Sequence, residues 1–451
     1  MSRRTNPTRN PTPRSLPYFG AAAAGVVGLM VAPLGSRLAL KRYQTARMRA
    51  LLRHSYETVP FYRRRFDEAD FHPDRFRSLE DLWRVPITRK SDLQVTSASD
   101  AIACDCDRDR LHRYGTGGST GSPVEARFTR FEDRLLRMFR LQATMRYGFR
   151  LRDRRSTLSV CHLGPAGKIR GFGILRSQTL RAYEPQAELR AALRQFRPDV
   201  IRGYPSVLAS LATQLTAGDR MHIRPRFITT DSEVLTDLAR TQIEKAFRAP
   251  VFDIYDCFEC NVIATQCRCG STYHVMDTSV LVEVLDGNQS APAGCPGEIA
   301  ITSLHAWAAP LIRYVPGDIV EQGPDECSCG APNTVLGTIL GRTRDRFLMP
   351  DGRVLNPKLL AAWIYPLCSV LRQYQIAQET SDRVVVRLQL VPGETIASDK
   401  LQTLRQGIIH SLGDGVTVRI DIVDAIPREP NGKFRPYRCY LDSHGTRSTF
   451  V

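Results

Sequence analysis

The sequence predicts an α/β protein in which a large domain is followed by a smaller α+β domain. From about Thr45 to Arg344, helical and strand-like patterns alternate, as in a sheet that is covered by helices. After Asp345 the pattern becomes a strand, a helix and a strand within about a hundred residues. At 451 residues, the chain is long enough for two or three domains with buried cores.

The first 44 residues differ from both domains. Arginines and prolines are frequent in residues 1–14, and residues 15–36 carry no charge. A stretch of this length could span a bilayer about 30 Å thick, but Ala and Gly dominate it and Pro17 and Pro33 interrupt it. Three interpretations stay open: a membrane-associated or inserted anchor, a cleaved signal peptide, and a disordered tail followed by a helix packed on the body.

Short buried strands of the large domain end beside polar residues. Residues 199–206 predict a strand that turns into a helix, and residues 226–230 and 250–255 predict two further strands. Ligands of open α/β sheets bind outside the carboxyl ends of the strands. Glu233 and Glu259 follow the last two strands closely, so we expect both at a ligand site.

The small domain has its own apolar pattern. Residues 383–391 are strand-like, and residues 416–422 alternate as a half-exposed strand. Between them, apolar residues recur at the spacing of one helix face, namely Leu401, Leu404, Ile408, Ile409 and Leu412.

The chain is basic, with 63 Lys and Arg against 46 Asp and Glu and a net charge of +17. No nucleic-acid-binding module is recognisable, so we expect no nucleic-acid partner. A basic surface suits ATP, CoA or an anionic membrane face equally well, and charge alone does not decide the function.

Residues 114–123 place glycine and hydroxyl residues in one short stretch, Tyr-Gly-Thr-Gly-Gly-Ser-Thr-Gly-Ser-Pro. Glycine tolerates positive φ, so that neighbouring N–H groups can surround an anion, and Ser and Thr add hydroxyl donors. No Gly-Lys-Ser/Thr closes the stretch at the spacing of a Walker loop. The stretch therefore suits the phosphates of a nucleotide, with a solvated turn as the alternative.

Several of the twelve cysteines are clustered. Closely spaced thiols beside a histidine are typical of a structural zinc site, because thiolate and imidazole are ligands that zinc prefers. The clustered residues are Cys257, Cys260, Cys267, Cys269, His274, Cys327 and Cys329.

Five stretches occur in the order that adenylate-forming enzymes have. They are the glycine-rich stretch, Tyr-Asp-Cys-Phe-Glu at 255–259, Arg-Tyr-Val-Pro-Gly-Asp at 313–318, Gly-Arg-Thr-Arg-Asp at 341–345 and Asn-Gly-Lys-Phe-Arg at 431–435. From about residue 45 to 440, the chain resembles the phenylacetate–CoA ligase-like branch, which includes capsular-polysaccharide-associated members. Residues 51–62 and 82–90 resemble the opening of that branch.

The resemblance implies three parts. Residues 1–44 would be a basic tail and apolar segment, residues 45–344 a large ATP- and acyl-binding domain with a zinc-binding insert, and residues 345–451 a small mobile domain behind a hinge.

The implied activity is ATP-dependent activation of a carboxylic acid to an acyl-adenylate, followed by transfer to a thiol, with CoA as the expected acceptor. One alternative is transfer to a carrier, sugar or amine in polysaccharide or natural-product biosynthesis. A rival of another class is a catalytically degenerate, membrane-tethered nucleotide-binding protein. The expected location is the cytoplasm, with membrane association through residues 15–36 as the alternative.

The resemblance also assigns the nucleotide site. Glu233 and Asp256 belong to this site, although Asp256 replaces the usual glycine of the family and puts the local backbone conformation in question. Ser122 stands where many relatives have a lysine. The β- and γ-phosphates would be held by Thr116, Gly117, Gly118, Ser119, Thr120 and Gly121, of which Thr116 is also expected to be catalytic.

The remaining roles concern charge and orientation. Glu259 would hold magnesium, which prefers carboxylate and phosphate oxygens, and Lys433 would bring positive charge to the α-phosphate. Tyr255 would lie against the adenine. Asp318 would accept hydrogen bonds from the ribose hydroxyls, and Arg342 would contact ribose or phosphate.

The zinc site that the resemblance implies uses Cys267, His274, Cys327 and Cys329. Cys269 competes with Cys267 for the first position. Four protein ligands leave no open position on the metal, so we expect a structural zinc that joins two loops.

Overall fold

The computed structural model describes residues 35–115, 125–159, 171, 173–182, 184–413 and 415–441. The phosphate-loop residues Thr116–Gly121 and residues 15–34 of the uncharged segment lie outside the described residues. The predictions for those two stretches therefore stay predictions.

The α-helices lie in the first part of the described chain and in connections between strands. They comprise Arg37–Thr58, Pro60–Glu68, Lys90–Val95, Ala98–Ala101, Arg130–Met145, Gln186–Phe196, Pro205–Ala212, Ala217–His222, Asp237–Phe247, Ala361–Ile364 and Ser398–Leu412. Short 3₁₀ turns lie at Pro73–Arg75, Leu79–Arg84, Arg108–Arg110, Thr343–Asp345, Pro357–Leu360 and Tyr365–Leu367.

The strands are numbered in chain order. They are β1 (Thr88–Arg89), β2 (His112–Gly115), β3 (Glu125–Phe128), β4 (Arg155–Ser159), β5 (Ser177–Arg181), β6 (Val200–Gly203), β7 (Phe227–Asp231), β8 (Val251–Cys257), β9 (Asn261–Gln266), β10 (Tyr273–Val275), β11 (Val280–Asp286), β12 (Gln289–Ser290), β13 (Pro296–Ser303), β14 (Tyr314–Val315), β15 (Asp318–Gln322), β16 (Val335–Arg342), β17 (Phe347–Leu348), β18 (Val354–Leu355), β19 (Leu371–Thr380), β20 (Arg383–Leu390), β21 (Thr417–Ile422) and β22 (Tyr437–Cys439).

One sheet of fourteen described strands runs through the large domain. Its parallel part has the order β5-β4-β6-β7-β8, and it continues through β9, β10, β16, β15 and β13 in antiparallel pairs. Strands β6, β7 and β8 are the three strands that the sequence predicts at 199–206, 226–230 and 250–255. Their carboxyl ends lie together at one edge, where parallel sheets bind ligands.

Helices bury one side of the parallel strands. Leu189 and Leu193 come from the helix that precedes β6, and Leu208 and Ile243 come from the helices that follow β6 and β7. All four side chains are fully buried against the sheet. This packing fixes the strand ends, and therefore the residues that follow them, as one rigid edge.

The small domain is a four-stranded sheet with the order β21-β20-β19-β22 and one long helix against it. The predicted apolar face is confirmed: Leu404, Ile408 and Leu412 are buried in the core of the small domain. Leu401 and Ile409 are partly buried beside them. The α/β fold with a smaller α+β domain is therefore confirmed.

The expected boundary at residue 44 falls inside the helix Arg37–Thr58. Leu40 and Gln44 are buried in that helix, and the Gln44 amide donates to the backbone oxygen of Asp277 at 3.1 Å. Residues 37–44 thus pack as part of the large domain, because an amphipathic helix is stabilised by the surface it buries. No helix among the described residues is long and apolar enough to cross a bilayer.

Candidate active site

A cavity of about 830 Å³ lies between the carboxyl edge of the parallel strands and the small domain. The site residues that the sequence predicts and the structure describes all line it, apart from the cysteine and histidine cluster. They are Glu233, Tyr255, Asp256, Glu259, Asp318, Arg342 and Lys433. Tyr114 and Gly115, at the end of β2 and just before the glycine-rich stretch, border the same cavity.

At one end of the cavity, Asp318 is held ready to accept hydrogen bonds. The Tyr255 hydroxyl donates to its Oδ2 at 2.7 Å, and the Nε of Arg342 lies 3.4 Å from its Oδ1. Burial, reinforced by the negative charge of Asp318, raises the pKa of Tyr255 well above its ordinary value, so the hydroxyl stays a donor. This geometry suits a ribose, whose two hydroxyls match a carboxylate.

Glu259 is a buried carboxylate on the turn between β8 and β9. It is 5% exposed, and its Oε1 accepts a hydrogen bond from the Tyr314 hydroxyl at 3.2 Å. No arginine, lysine or histidine of the described chain forms an ion pair with it within 4.0 Å. A buried carboxylate without a cationic partner is a suitable ligand for a divalent metal ion.

The ammonium group of Lys433 reaches the cavity from the small domain. Its Nζ lies 5.5 Å from the centre of the Phe258 ring, next to Glu259 in the chain. The turn that carries Lys433 is closed by the Glu429 N–H, which donates to the Lys433 carbonyl at 2.9 Å. The Asn431 side chain also accepts from the Lys433 N–H at 3.0 Å. The turn thus presents the lysine side chain in a defined direction.

Glu233 joins the two domains in this structure. One oxygen accepts from the backbone N–H of Ser206 at 3.1 Å, and the other accepts from the N–H of Phe434 at 2.7 Å. Because Phe434 follows Lys433, this contact holds the lysine turn against the large domain. A direct contact of Glu233 with the nucleotide stays a prediction.

The other end of the cavity holds a group of charged residues that the sequence analysis did not find. The Nη2 of Arg140 lies 2.6 Å from Asp256, and its Nη1 lies 3.7 Å from Asp231. Arg202 also pairs with Asp231 and lies 3.9 Å from Asp256. The Asp256 side chain therefore belongs to an ion-pair network, and its assignment to the nucleotide stays a prediction. The one sequence signal was an aspartate at a position where the family has glycine.

A helix cap positions this network. Thr129 and Glu132 close a capping box at the start of the helix Arg130–Met145, and each backbone N–H is bound by the other side chain. The cap sets the start of the helix that carries Arg140. Lys90, a second residue that the motifs did not reveal, also lines the cavity, and burial lowers its pKa.

Four soft donors lie together outside the set of residues that line the cavity. The ligand atoms of Cys267, His274, Cys327 and Cys329 are all within 4.8 Å of one another. The Sγ atoms of Cys267 and Cys327 are 3.8 Å apart, and the Cys329 Sγ lies 3.2 Å from the His274 Nε2. These separations are close to those of donors that surround one tetrahedral zinc at about 2.0–2.3 Å.

Cys269 lies outside this group of donors. Its side chain is exposed, and its contact with the cluster is a backbone N–H that donates to the Cys267 Sγ at 3.4 Å. Of the two competing positions, the structure favours Cys267. Cys257 and Cys260 lie beside Glu259 and are not part of the cluster.

Comparisons with known proteins agree with this geometry. Residues 347–437 match the family model of the CapK C-terminal domain. The chain is 28% identical over 436 residues to a phenylacetate-coenzyme A ligase of Thermus thermophilus, which covers 88% of this chain and 95% of the relative. It is also 27% identical over 247 residues to the protein CapK of Staphylococcus aureus, which covers 54% of this chain and 53% of that relative.

A solved structure shares the fold. The crystal structure of 2-hydroxyisobutyryl-CoA ligase in the postadenylation state, in complex with 2-HIB-AMP, has a TM-score of 0.73 and 20% identity, with 90% of each chain covered. The motifs, the two-domain fold and these relatives lead to one assignment. The chain is similar to adenylate-forming enzymes of the phenylacetate–CoA ligase-like branch, and its small domain is similar to the CapK C-terminal domain.

Proposed function

We propose that this chain activates a carboxylic acid with ATP to an acyl-adenylate and then transfers the acyl group to a thiol, with CoA as the acceptor. The observation that carries the proposal is that Glu259, the Asp318–Arg342 pair and Lys433 face one cavity from two domains. ATP and CoA are supplied in the cytoplasm, where we place the reaction.

In the first step, a carboxylate oxygen bonds to the α-phosphorus while the bond to the bridging oxygen breaks and pyrophosphate leaves. Lys433 would stabilise the negative charge that develops on the α-phosphate oxygens. Asp318 would hold the ribose so that the carboxylate and the α-phosphorus stay in line. A bound magnesium ion would shield the phosphate charges, with Glu259 as its protein ligand.

In the second step, the thiol sulfur attacks the acyl carbonyl carbon and AMP leaves. The relatives that are named phenylacetate-coenzyme A ligases support CoA as the acceptor. The match of the small domain to the CapK C-terminal domain keeps a carrier, sugar or amine as the alternative acceptor, because this domain forms a wall of the cavity.

We also propose a structural zinc ion held by Cys267, His274, Cys327 and Cys329. The separations of the donors support it, and so does their chemistry, because three thiolates and an imidazole form a common structural zinc set.

The test is acid-dependent release of pyrophosphate from ATP in the presence of magnesium. Aryl, fatty, amino and dicarboxylic acids are supplied singly, and thioester formation is then followed by mass spectrometry after CoA is added. We expect at least one acid to support both steps, and Glu259→Gln to abolish the first. If no acid supports pyrophosphate release by folded protein, the degenerate nucleotide-binding protein becomes the better account.

A further inference from the structure

The cavity extends beyond the nucleotide residues to the outer strands of the parallel sheet. There, β4, β5 and β6 contribute Arg155, Thr157, Ser159, Ser177, Thr179 and Arg202 to its wall. Among the described residues of these strands, Leu158 is the apolar one that reaches it. An aromatic or fatty acid would bury its apolar surface against polar groups here, which stabilises binding little.

The rows of side chains follow from the strand register. Arg155 on β4 is paired with Ser177 on β5, and Thr157 is paired with both Thr179 on β5 and Arg202 on β6. Alternate residues of a strand face the same side of a sheet. The hydroxyl and guanidinium groups therefore form one continuous polar surface.

Arg155 has no partner on this surface. Its Nε is buried without a hydrogen bond, and its guanidinium forms no ion pair or hydrogen bond with any residue in the described ranges. Burial and the neighbouring charges of Arg202 and Arg140 lower its pKa to about 10, so it remains a cation at neutral pH. The residue as a whole is half-buried, and a partly desolvated cation without a counter-charge is costly for a fold to keep.

The neighbouring charges do not neutralise Arg155. Arg140 and Arg202 are matched by Asp231 and Asp256, so these four residues balance one another. Among the described residues, Arg155 is thus a positive charge without a counter-charge at this end of the cavity. The carboxylate that reacts with ATP would not be the group bound to Arg155, because it must reach the α-phosphate between Glu259 and Lys433.

Resting on the proposed function, we propose that the acid this enzyme activates is polar and carries a second anionic group, which binds Arg155. The hydroxyls of Thr157, Ser177 and Thr179 then bind the polar chain between its two acidic ends. Arg155 is a specificity-determining residue, and the substrate class is dianionic acids, which differ from the arylacetate named for the relatives.

Matched acids test this proposal. Pyrophosphate release is measured with succinate, glutarate, adipate, malate and 3-phosphonopropionate, and with butyrate, valerate, hexanoate and phenylacetate as mono-anions. The variant is Arg155→Gln, and the control is Arg134→Gln, an exposed arginine on the helix Arg130–Met145 outside the cavity. We expect kcat/KM for the best dianion to exceed that of its matched mono-acid. Arg155→Gln should lower the dianion value about 10- to 100-fold and leave the mono-acids unchanged.

The results separate this proposal from the proposed function. If phenylacetate or a mono-acid is used as well as every dianion, or if Arg155→Gln slows all acids equally, the substrate class is wrong and the activity stands. If no acid releases pyrophosphate, the proposed function fails, and the substrate class is judged by calorimetric binding of the same acids with α,β-methylene-ATP and magnesium. If the wild type binds a dianion and Arg155→Gln does not, the proposed substrate class is upheld. If the wild type and Arg155→Gln bind the dianion equally well, the substrate class is wrong. The melting temperature of Arg155→Gln should not fall, which verifies folding.

Discussion

At the scale of single residues, the position of Lys433 leads to a sharp expectation. Lys433→Ala should slow adenylation on the order of 10²–10³-fold while ATP affinity changes little, because its charge acts mainly on the transition state. Acid-dependent pyrophosphate release and calorimetric ATP binding, measured side by side, separate the two effects. Lys400→Ala, an exposed lysine of the same domain, is the control. Unchanged turnover would remove Lys433 from the mechanism.

Asp256 shows why an aspartate can replace the glycine that the family motif usually has at this position. The residue lies at the end of β8 and is not among the described residues with positive φ, so no glycine is required there. Its charge is matched by Arg140 at 2.6 Å, on a helix more than a hundred positions earlier in the chain. The motif predicted the location of Asp256 but not its partner, because that contact depends on how the helix packs on the sheet.

A double-mutant cycle measures this pair. Asp256→Ala, Arg140→Ala and the double variant should reveal a coupling of about 1–3 kcal/mol, because each single change leaves a mostly buried charge without its partner. The exposed pair Arg53–Asp74 serves as the comparison and should couple by less than about 1 kcal/mol. Urea unfolding of the four proteins provides the values. A coupling no larger than that of the exposed pair would contradict the network.

At the scale of elements, local pattern predicted some strands and missed others. β6, β7, β8, β20 and β21 were predicted from their runs of apolar or alternating residues. β19 was missed because its centre includes Gln375 and Gln378, which are buried through hydrogen bonds rather than through apolar packing. The helix Arg37–Thr58 crosses the predicted boundary at residue 44, because tertiary burial, not local composition, fixes where this helix starts to pack.

The proposed zinc ion would act on elements, since its four ligands come from β10, from the β9–β10 connection and from the β15–β16 connection. Purified protein should contain about one zinc per chain by elemental analysis. Cys327→Ser should lose the metal and lower the melting temperature more than it lowers the turnover of protein that is still folded. Cys295→Ser, an exposed cysteine outside the cluster, should keep both. Well-folded protein that is free of metal after mild purification would rule out the site.

At the scale of the whole molecule, several contacts hold the lysine turn of the small domain against the large domain. The Nη1 of Arg428 donates to the Ser206 hydroxyl at 2.9 Å, beside the contact of Glu233 with Phe434. Asp345 at the hinge also pairs with Arg435. Because the thiol must later reach the same acyl carbonyl, we expect these contacts to break before transfer, with the predicted hinge near Asp345 absorbing the change.

Arg428→Ala should therefore slow the first step and spare the second. We expect about a tenfold loss in adenylate formation, because one charge-assisted hydrogen bond that holds the domains together is lost. Thioester formation from supplied acyl-adenylate should be as fast as in the wild type. Arg419→Ala, on the exposed Arg419–Asp421 pair of β21, is the control. Equal slowing of both steps would argue against the rearrangement.

The polar wall lies on β4–β6 of the large domain, whereas the lysine turn lies on the small domain. This separation has a consequence for how the enzyme could evolve. In the proposed mechanism, the acid is bound by one domain, while the other supplies the lysine and faces the acceptor. Substitutions in the polar wall that change the acid would therefore need no compensating change in the lysine turn, and the contacts of Glu233 with the Phe434 backbone and of Ser206 with Arg428 could stay as they are. Because a backbone N–H donates to Glu233, this contact would tolerate a different side chain at position 434. Lineages of this fold can thus exchange acids and acceptors independently of each other.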